Sequence, residues 1–235
     1  MDNRFSRSRA VLGDKAIEVL SGSRVAVFGL GGVGGYALEA LARAGVGALD
    51  IIDSDTVDIT NINRQLIALS STVGRKKTEL FAQRIADINP DCRVTVHDCF
   101  YLPDEADKFD FGAYDYVVDA IDTVTAKIDL AVRCTQLNIP IISSMGTGNK
   151  LDPAALYIAD IYSTDVCPLA RVMRRELKKR GVRALKTVCS KEPPVYISSD
   201  SENGSRIPGS VSFVPPVAGM MMAAEAVKDI IGRKL

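Results

Sequence analysis

Gly29, Gly31, Gly32 and Gly34 stand in a G-x-G-G-x-G run between an apolar stretch, RVAVFG, and an amphipathic one. Glycines at this spacing let the backbone turn tightly and approach a phosphate, whose charge is favoured by the free amides and dipole of a helix start. Asp53 comes nineteen residues after Gly34, at the end of the next apolar run, where a carboxylate can grip a ribose hydroxyl. Taken alone, this pattern reads as a nucleotide site of unspecified kind. Nicotinamide and flavin enzymes share it, and a glycine turn that merely lets a helix pack closely would look the same.

The residues just past Asp53 narrow the chemistry. The segment DSDTVDITNINRQ adds Asp55, Asn61, Arg64 and Gln65, and Lys77 opens the next amphipathic stretch. Hydride exchange needs no cationic clamp at this place. Cleavage of a triphosphate does, because charge builds on the transferring and leaving phosphates and must be met by preorganised cations. Arg64 and Lys77 supply two. In the segment DAID, Asp122 reaches the same mouth and suits magnesium, which binds phosphates with the help of one or two carboxylates. A lone aspartate there also reads as a helix cap. The convergence of Asp53, Arg64, Lys77 and Asp122 favours the triphosphate reading.

These residues need a scaffold that gathers them. Residues 24–29, 48–53, 93–97, 114–120 and 139–143 are short runs rich in Val and Ile, as in strands buried on both faces. Residues 33–44, 76–89 and 124–137 between them are amphipathic. The alternation predicts a Rossmann-like, doubly wound α/β fold with a mostly parallel sheet, a C-terminal extension and a crossover loop, with ligands beyond the carboxyl ends of the strands. Further on, residues 155–161 read as a strand, 168–180 as a helix opening on Pro168, 193–209 as a polar loop and 219–231 as a closing helix. The expected organisation is an N-terminal arm, residues 1–22, and a single α/β domain, residues 23–235, within which residues 162–210 form a basic crossover and substrate segment.

Composition sets the outer bounds. With 235 residues, 47% hydrophobic and 25% charged, the chain has the balance of an ordinary globule rather than of a disordered tail or a disulfide scaffold. No apolar run approaches the roughly 20 residues that cross a bilayer, and Arg4, Arg7 and Arg9 precede no apolar stretch of a secretory leader, so no membrane partner and a cytoplasmic location are expected. Five cysteines at irregular spacing, without a C-x-x-C pair, predict no structural zinc. The single histidine, His97, excludes histidine triads and clusters. Net charge is zero, yet Arg171 to Lys186 holds eight basic residues against one acid, Glu176. On a helix from Pro168, this leaves Arg171, Arg174, Arg175, Lys178 and Lys179 opposite an apolar stripe of Leu169, Val172, Met173 and Leu177. Such a face is either simply solvated or the footprint of phosphate-backbone binding.

The run G-x-G-G-x-G, then D-x-D-x-V-x-x-x-N-x-N-R-Q, then V-G-x-x-K resembles the adenylylating superfamily of ubiquitin-activating-type enzymes over nearly the whole chain. The resemblance implies that ATP is the cofactor, bound by the four glycines, Asp53, Asp55, Asn61 and Gln65. It implies further that Asp53 holds the ribose, that Asn61, Arg64 and Lys77 hold the phosphates, and that Asp122 holds Mg2+. It also implies a homodimer in which an N-terminal arginine, best Arg7 and otherwise Arg9, reaches the partner's site. A solvated arginine is the plain alternative.

Sulfur-carrier activators of this superfamily usually carry C-x-x-C zinc pairs and often a catalytic cysteine, whereas Cys167 and Cys189 here stand alone. The chain is most similar to the tRNA threonylcarbamoyladenosine dehydratases, which lack those pairs and share the R-F-x-R opening, the D-A-I-D-T strand end and a basic segment after C-P-L. That resemblance implies a tRNA substrate, contacted by Arg171, Arg174, Arg175, Lys178 and Lys179, and an ATP-dependent cyclisation through an acyl adenylate. Nucleophile and electrophile then lie in one side chain, so proximity replaces a catalytic thiol. Activation of a ubiquitin-like sulfur carrier is the alternative, with a sulfur-relay protein as a further partner. A redox Rossmann enzyme and a nucleotide-sensing scaffold stand further off.

Overall fold

A computed structural model of the chain describes residues 4–195 and 208–234. Its centre is a seven-stranded sheet in the order β3-β2-β1-β4-β5-β7-β6. The strands are β1 (Arg24–Phe28), β2 (Ala48–Ile52), β3 (Arg93–His97), β4 (Tyr116–Asp119), β5 (Ile141–Ser144), β6 (Leu156–Asp160) and β7 (Lys186–Ser190). All neighbours pair in parallel except β6, which lies antiparallel on β7 at the edge. The α/β fold is thus the one expected, with four of the apolar runs forming the inner strands β1, β2, β4 and β5; the fifth forms β3, which lies at an edge and is half-buried to exposed rather than buried on both faces. β7 is an addition: its sequence, KTVCS, has no apolar run, but its last four residues are buried between β5 and β6.

Alternate residues of each inner strand enter opposite layers. Val25 and Val27 join Tyr116 and Val118 on one face, covered by α3 (Gly34–Ala44), α4 (Lys77–Ile88) and α7 (Val214–Lys234). Ala26, Phe28 and Val117 point the other way, onto Tyr101, Phe109, Phe111 and Tyr114 and onto α5 (Val124–Gln136). The basic helix α6 (Pro168–Lys179) packs on α5 through Ala170, Met173 and Leu177. α7 begins five residues before the expected 219, because Pro215 and Pro216 occupy its first turn, where a missing amide leaves no broken bond.

Before β1 the chain forms α1 (Ser6–Leu12), with no buried residue, and α2 (Asp14–Ser21), whose Leu20 enters the main core. Midway along β2 the fully buried Asp50 accepts from Arg24 at 2.8 and 2.9 Å and from the Tyr114 hydroxyl at 3.2 Å, with His97 Nε2 at 2.9 Å. The expected loop 193–209 falls mostly on residues 196–207, outside the described ones. Among the described residues, no helix is long and apolar enough to cross a membrane.

Candidate active site

The strand order reverses between β1 and β4, and a cavity of about 770 Å3 opens beyond their carboxyl ends. Gly29 leaves β1 with φ at +86°, and a Cβ there would meet the Ala120 carbonyl oxygen at 2.7 Å. Gly34 is tighter still, since a Cβ would stand 1.8 Å from the Gly29 oxygen. These two glycines serve the close packing of loop, helix and neighbouring strand. Gly31 and Gly32 line the cavity, as does Gly29, and leave the backbone open to a ligand.

Asp53, just past β2, accepts from the Leu30 amide at 2.7 Å and the Asp55 amide at 2.8 Å. Burial pushes its carboxyl up from the usual aspartate range, against the opposing pull of Lys77 and the two amides. Lys77 opens α4 and is only 4% exposed; its Nζ lies 2.7 Å from Asp55 Oδ2 and 4.0 Å from Asp53 Oδ1. Arg64 donates to the Thr60 carbonyl and to Asn63 Oδ1 but has no carboxylate partner among the described residues, so its charge is uncompensated at the cavity wall. Asn61 and Gln65 line the same wall. Gln65 is 7% exposed and its Oε1 has no hydrogen-bond partner among the described residues. A buried amide oxygen left unpaired asks for a donor from a ligand or water.

Asp122 faces these cations from the turn after β4. It is exposed, and it accepts from the Thr123 hydroxyl at 3.4 Å. Beneath the turn, Asp119 and Lys127 form an ion pair at 2.9 Å with both side chains fully buried. The remaining wall comes from Cys99, Phe100 and Tyr101 after β3, from Met145 to Gly148 after β5, and from Gly209, Ser210 and Pro215. No motif in the sequence singles these out. The rule that ligands sit beyond the strand ends could have found the first two groups.

The other expected residues lie apart. None of the five α6 cations lines the cavity, although Leu169 in the helix's first turn does. Glu176 binds Arg175, Lys179 and Arg180 at 2.9 to 3.0 Å, and Arg174 turns inward to the Thr164 hydroxyl. Arg171 and Lys178 are exposed and, among the described residues, without a side-chain partner. Arg7 lies on α1, next to Arg4, which is bonded to the Ile88 carbonyl at the end of α4 opposite to Lys77, so Arg7 does not reach this chain's own cavity. Cys167 and Cys189, isolated in the sequence, meet in the core. Hydrogen bonding from the Cys189 thiol, then from the amides of Ala170, Gly146 and Leu169, pulls the Cys167 thiol down to about 5 against the effect of burial. The same pairing, together with burial, pushes Cys189 up. Neither sulfur lines the cavity.

Comparison with known proteins gives a consistent result. The ThiF family pattern matches residues 5–235. The chain is 45% identical over 244 residues to the tRNA threonylcarbamoyladenosine dehydratase of Bacillus subtilis (strain 168), covering 98% of this chain and 96% of that protein. Its fold matches the crystal structure of the E. coli tRNA N6-threonylcarbamoyladenosine dehydratase in complex with AMP, with a TM-score of 0.90 at 37% identity over 98% of this chain and 94% of the other. The complex of that E. coli protein with ATP gives a TM-score of 0.89 at 36% identity, with the same coverage.

Proposed function

The chain belongs to the ThiF family, and from that premise we infer that it is an ATP-dependent dehydratase acting on tRNA threonylcarbamoyladenosine, the activity for which its near full-length relatives are named. The observation that carries the reading is the convergence of the glycine turn, Asp53, Arg64, Lys77 and Asp122 on one cavity, a set suited to cleaving a triphosphate rather than to moving a hydride.

In the first half-reaction an oxygen of the substrate carboxylate attacks the α-phosphorus of ATP; the new P–O bond forms as the bond to the leaving pyrophosphate breaks. Asp53 receives a ribose hydroxyl on the oxygen lone pairs that the Leu30 and Asp55 amides leave free. Lys77 exchanges Asp55 for phosphate, and Arg64, Asn61 and Gln65 close around the remaining oxygens. The carbamoyl nitrogen then attacks the acyl carbon, expels AMP, loses its proton and closes a five-membered ring, with net loss of water. Holding both groups in one side chain makes this step unimolecular, so the buried thiols have no required part.

Asp122, at the cavity mouth with no cation partner among the described residues, suits magnesium, which needs one or two carboxylates and takes its other oxygens from phosphate and water. No group of three or more His, Cys, Asp or Glu that could hold a metal occurs among the described residues, and magnesium on a nucleotide requires none. When bound, the ion supplies positive charge against the departing pyrophosphate.

The tRNA backbone meets α6 chiefly at Arg171 and Lys178, with Arg174, Arg175 and Lys179 tempered by Thr164 and Glu176. The protein works as a cytoplasmic homodimer. Supporting this, Ile59 and Ile62 are exposed beside Phe213, Val217 and Met220, the two segments being tied by the Asn63 side chain donating to the Ser210 carbonyl at 2.8 Å. Across that face the partner's N-terminal segment is proposed to supply an arginine, best Arg7, to this cavity. No sulfur moves in either half-reaction, so a sulfur-relay protein is not needed.

The test is mass spectrometry of nucleosides after tRNA carrying threonylcarbamoyladenosine is incubated with the protein, ATP and magnesium in a non-nucleophilic buffer. A nucleoside one water lighter, dependent on ATP and lost in Arg64→Ala, is expected. No such species, with ATP still bound, overturns the reading and directs attention to pyrophosphate exchange with small Gly-Gly-ended carrier proteins.

A further inference from the structure

The turn that carries Asp122 is held from beneath by an ion pair that never reaches the cavity. Lys127, on α5, is fully buried; its Nζ lies 2.9 Å from Asp119 Oδ2 and donates to the Ile121 carbonyl at 3.1 Å. Asp119 ends β4, is equally buried, and accepts from the Ser143 hydroxyl on β5 at 2.5 Å and from the Ile121 amide at 3.2 Å. Neither member lines the cavity, whereas Ala120, Ile121 and Asp122 all do.

Taking both charges out of water is unfavourable, and an apolar pair of like volume would often hold a core at least as well. What an apolar pair could not do is hold a peptide. Here the Ile121 amide donates to Asp119 while its carbonyl accepts from Lys127, so both sides of residue 121 are fixed to the end of β4 and the first turns of α5. Asp122 comes one residue later. The same turn is in close contact with the glycine loop, since the Ala120 carbonyl fills the space that a Cβ of Gly29 would need.

We propose that Lys127 is a positioning residue for adenylylation: through Asp119 and the Ile121 carbonyl it sets the turn that presents Asp122 to the metal-bound triphosphate. The proposal rests on the role given above to Asp122. Groups behind a metal ligand act by orienting it, and their loss weakens metal binding about 10- to 100-fold.

Single removal of Lys127 would strand a buried carboxylate, so the variant to make is the neutral double, Asp119→Asn with Lys127→Met. Affinities for AMP, for ATP without metal and for ATP with magnesium are measured by calorimetry, beside Asp122→Asn. In the double variant AMP and metal-free ATP bind within about twofold of wild type, while the tightening of ATP by magnesium drops about tenfold. Ser143→Ala, the milder change because it leaves the ion pair in place, moves the same quantity about threefold in the same direction. Wild-type magnesium dependence in the double variant and in Ser143→Ala, with loss in Asp122→Asn, overturns the positioning role and leaves Asp122 standing. Unchanged dependence in Asp122→Asn means that the assignment of Asp122 itself fails. A fall in AMP affinity equal to that for magnesium-ATP also overturns the proposal, because the pair then supports the whole cavity rather than the turn. Should the double variant not fold, Ser143→Ala decides by itself.

Discussion

Lys77 and Arg64 differ in what their loss exposes, although both meet phosphate. Arg64 has no carboxylate partner among the described residues, so Arg64→Ala leaves the fold intact and lowers ATP–pyrophosphate exchange by about 10²- to 10³-fold. Lys77 is buried between two acids, so Lys77→Ala gives a similar loss of exchange together with a lower thermal midpoint, read by circular dichroism. Retained exchange in both variants would refute their roles. Asp53 adds a pH dependence. Burial raises its folded pKa, which disfavours the carboxylate in the fold: the group favours folding at low pH, and that contribution is lost as pH rises from the ordinary aspartate value through the raised one. Ribose binding needs the ionised acceptor, so AMP affinity falls as pH drops through the raised value. A titration from about pH 4 to about pH 7 should show this, and Asp53→Asn should bind weakly and without that slope. The residues legible in the sequence were those whose spacing carries the chemistry. Lys127 was not among them, because a lysine in an amphipathic stretch reads as solvated and only the tertiary structure reveals its partners, Asp119 and the Ile121 carbonyl. The meeting of Cys167 with Cys189 was hidden for the same reason.

At the scale of elements, β1, β2, β4 and β5 were legible because they are buried within the sheet and rich in apolar residues, and β3, though at an exposed edge, because its Val residues alternate in the same way. β7 was not, since Lys186 to Ser190 owes its place to pairing with β5 and β6 rather than to any pattern of its own. α6 was legible as a basic helix, but its charges are unequal in a way that spacing could not reveal. Glu176 engages three cations at this end of the chain's basic run and Thr164 a fourth, which leaves Arg171 and Lys178 as the freest. Replacing Arg171 and Lys178 by alanine should raise KM for tRNA about tenfold and flatten its salt dependence by about two charges, with AMP affinity unchanged. Arg175→Ala with Lys179→Ala should have the smaller effect. The reverse ranking, in steady-state kinetics over a salt series, would show that the ion pairs at Glu176 do not govern the contact.

For the whole molecule, the site is completed by a second copy if Arg7 acts across an interface. Arg7→Ala and Arg64→Ala should each be inactive, and an equal mixture should regain about a quarter of wild-type turnover, since half the dimers are mixed and each of those has one intact site. An inactive mixture, with exchange of subunits shown by mass spectrometry, would remove Arg7 from the mechanism. The knot at Asp50 bears on how such a molecule assembles at all. Parallel strands have no hairpin to align them, so β1, β2 and β3 must find their register across long stretches of chain. A β2 joined one residue out of step would turn Asp50 to the opposite face, away from Arg24, Tyr114 and His97 and against the apolar side chains of α3 and α4. An unpaired carboxylate in that place costs about 3 to 5 kcal/mol, enough to reject the misjoined sheet. The one buried acid of β2 thereby proofreads the fold, so that the glycine turn and Asp53, carried by adjacent strands, arrive at the same level.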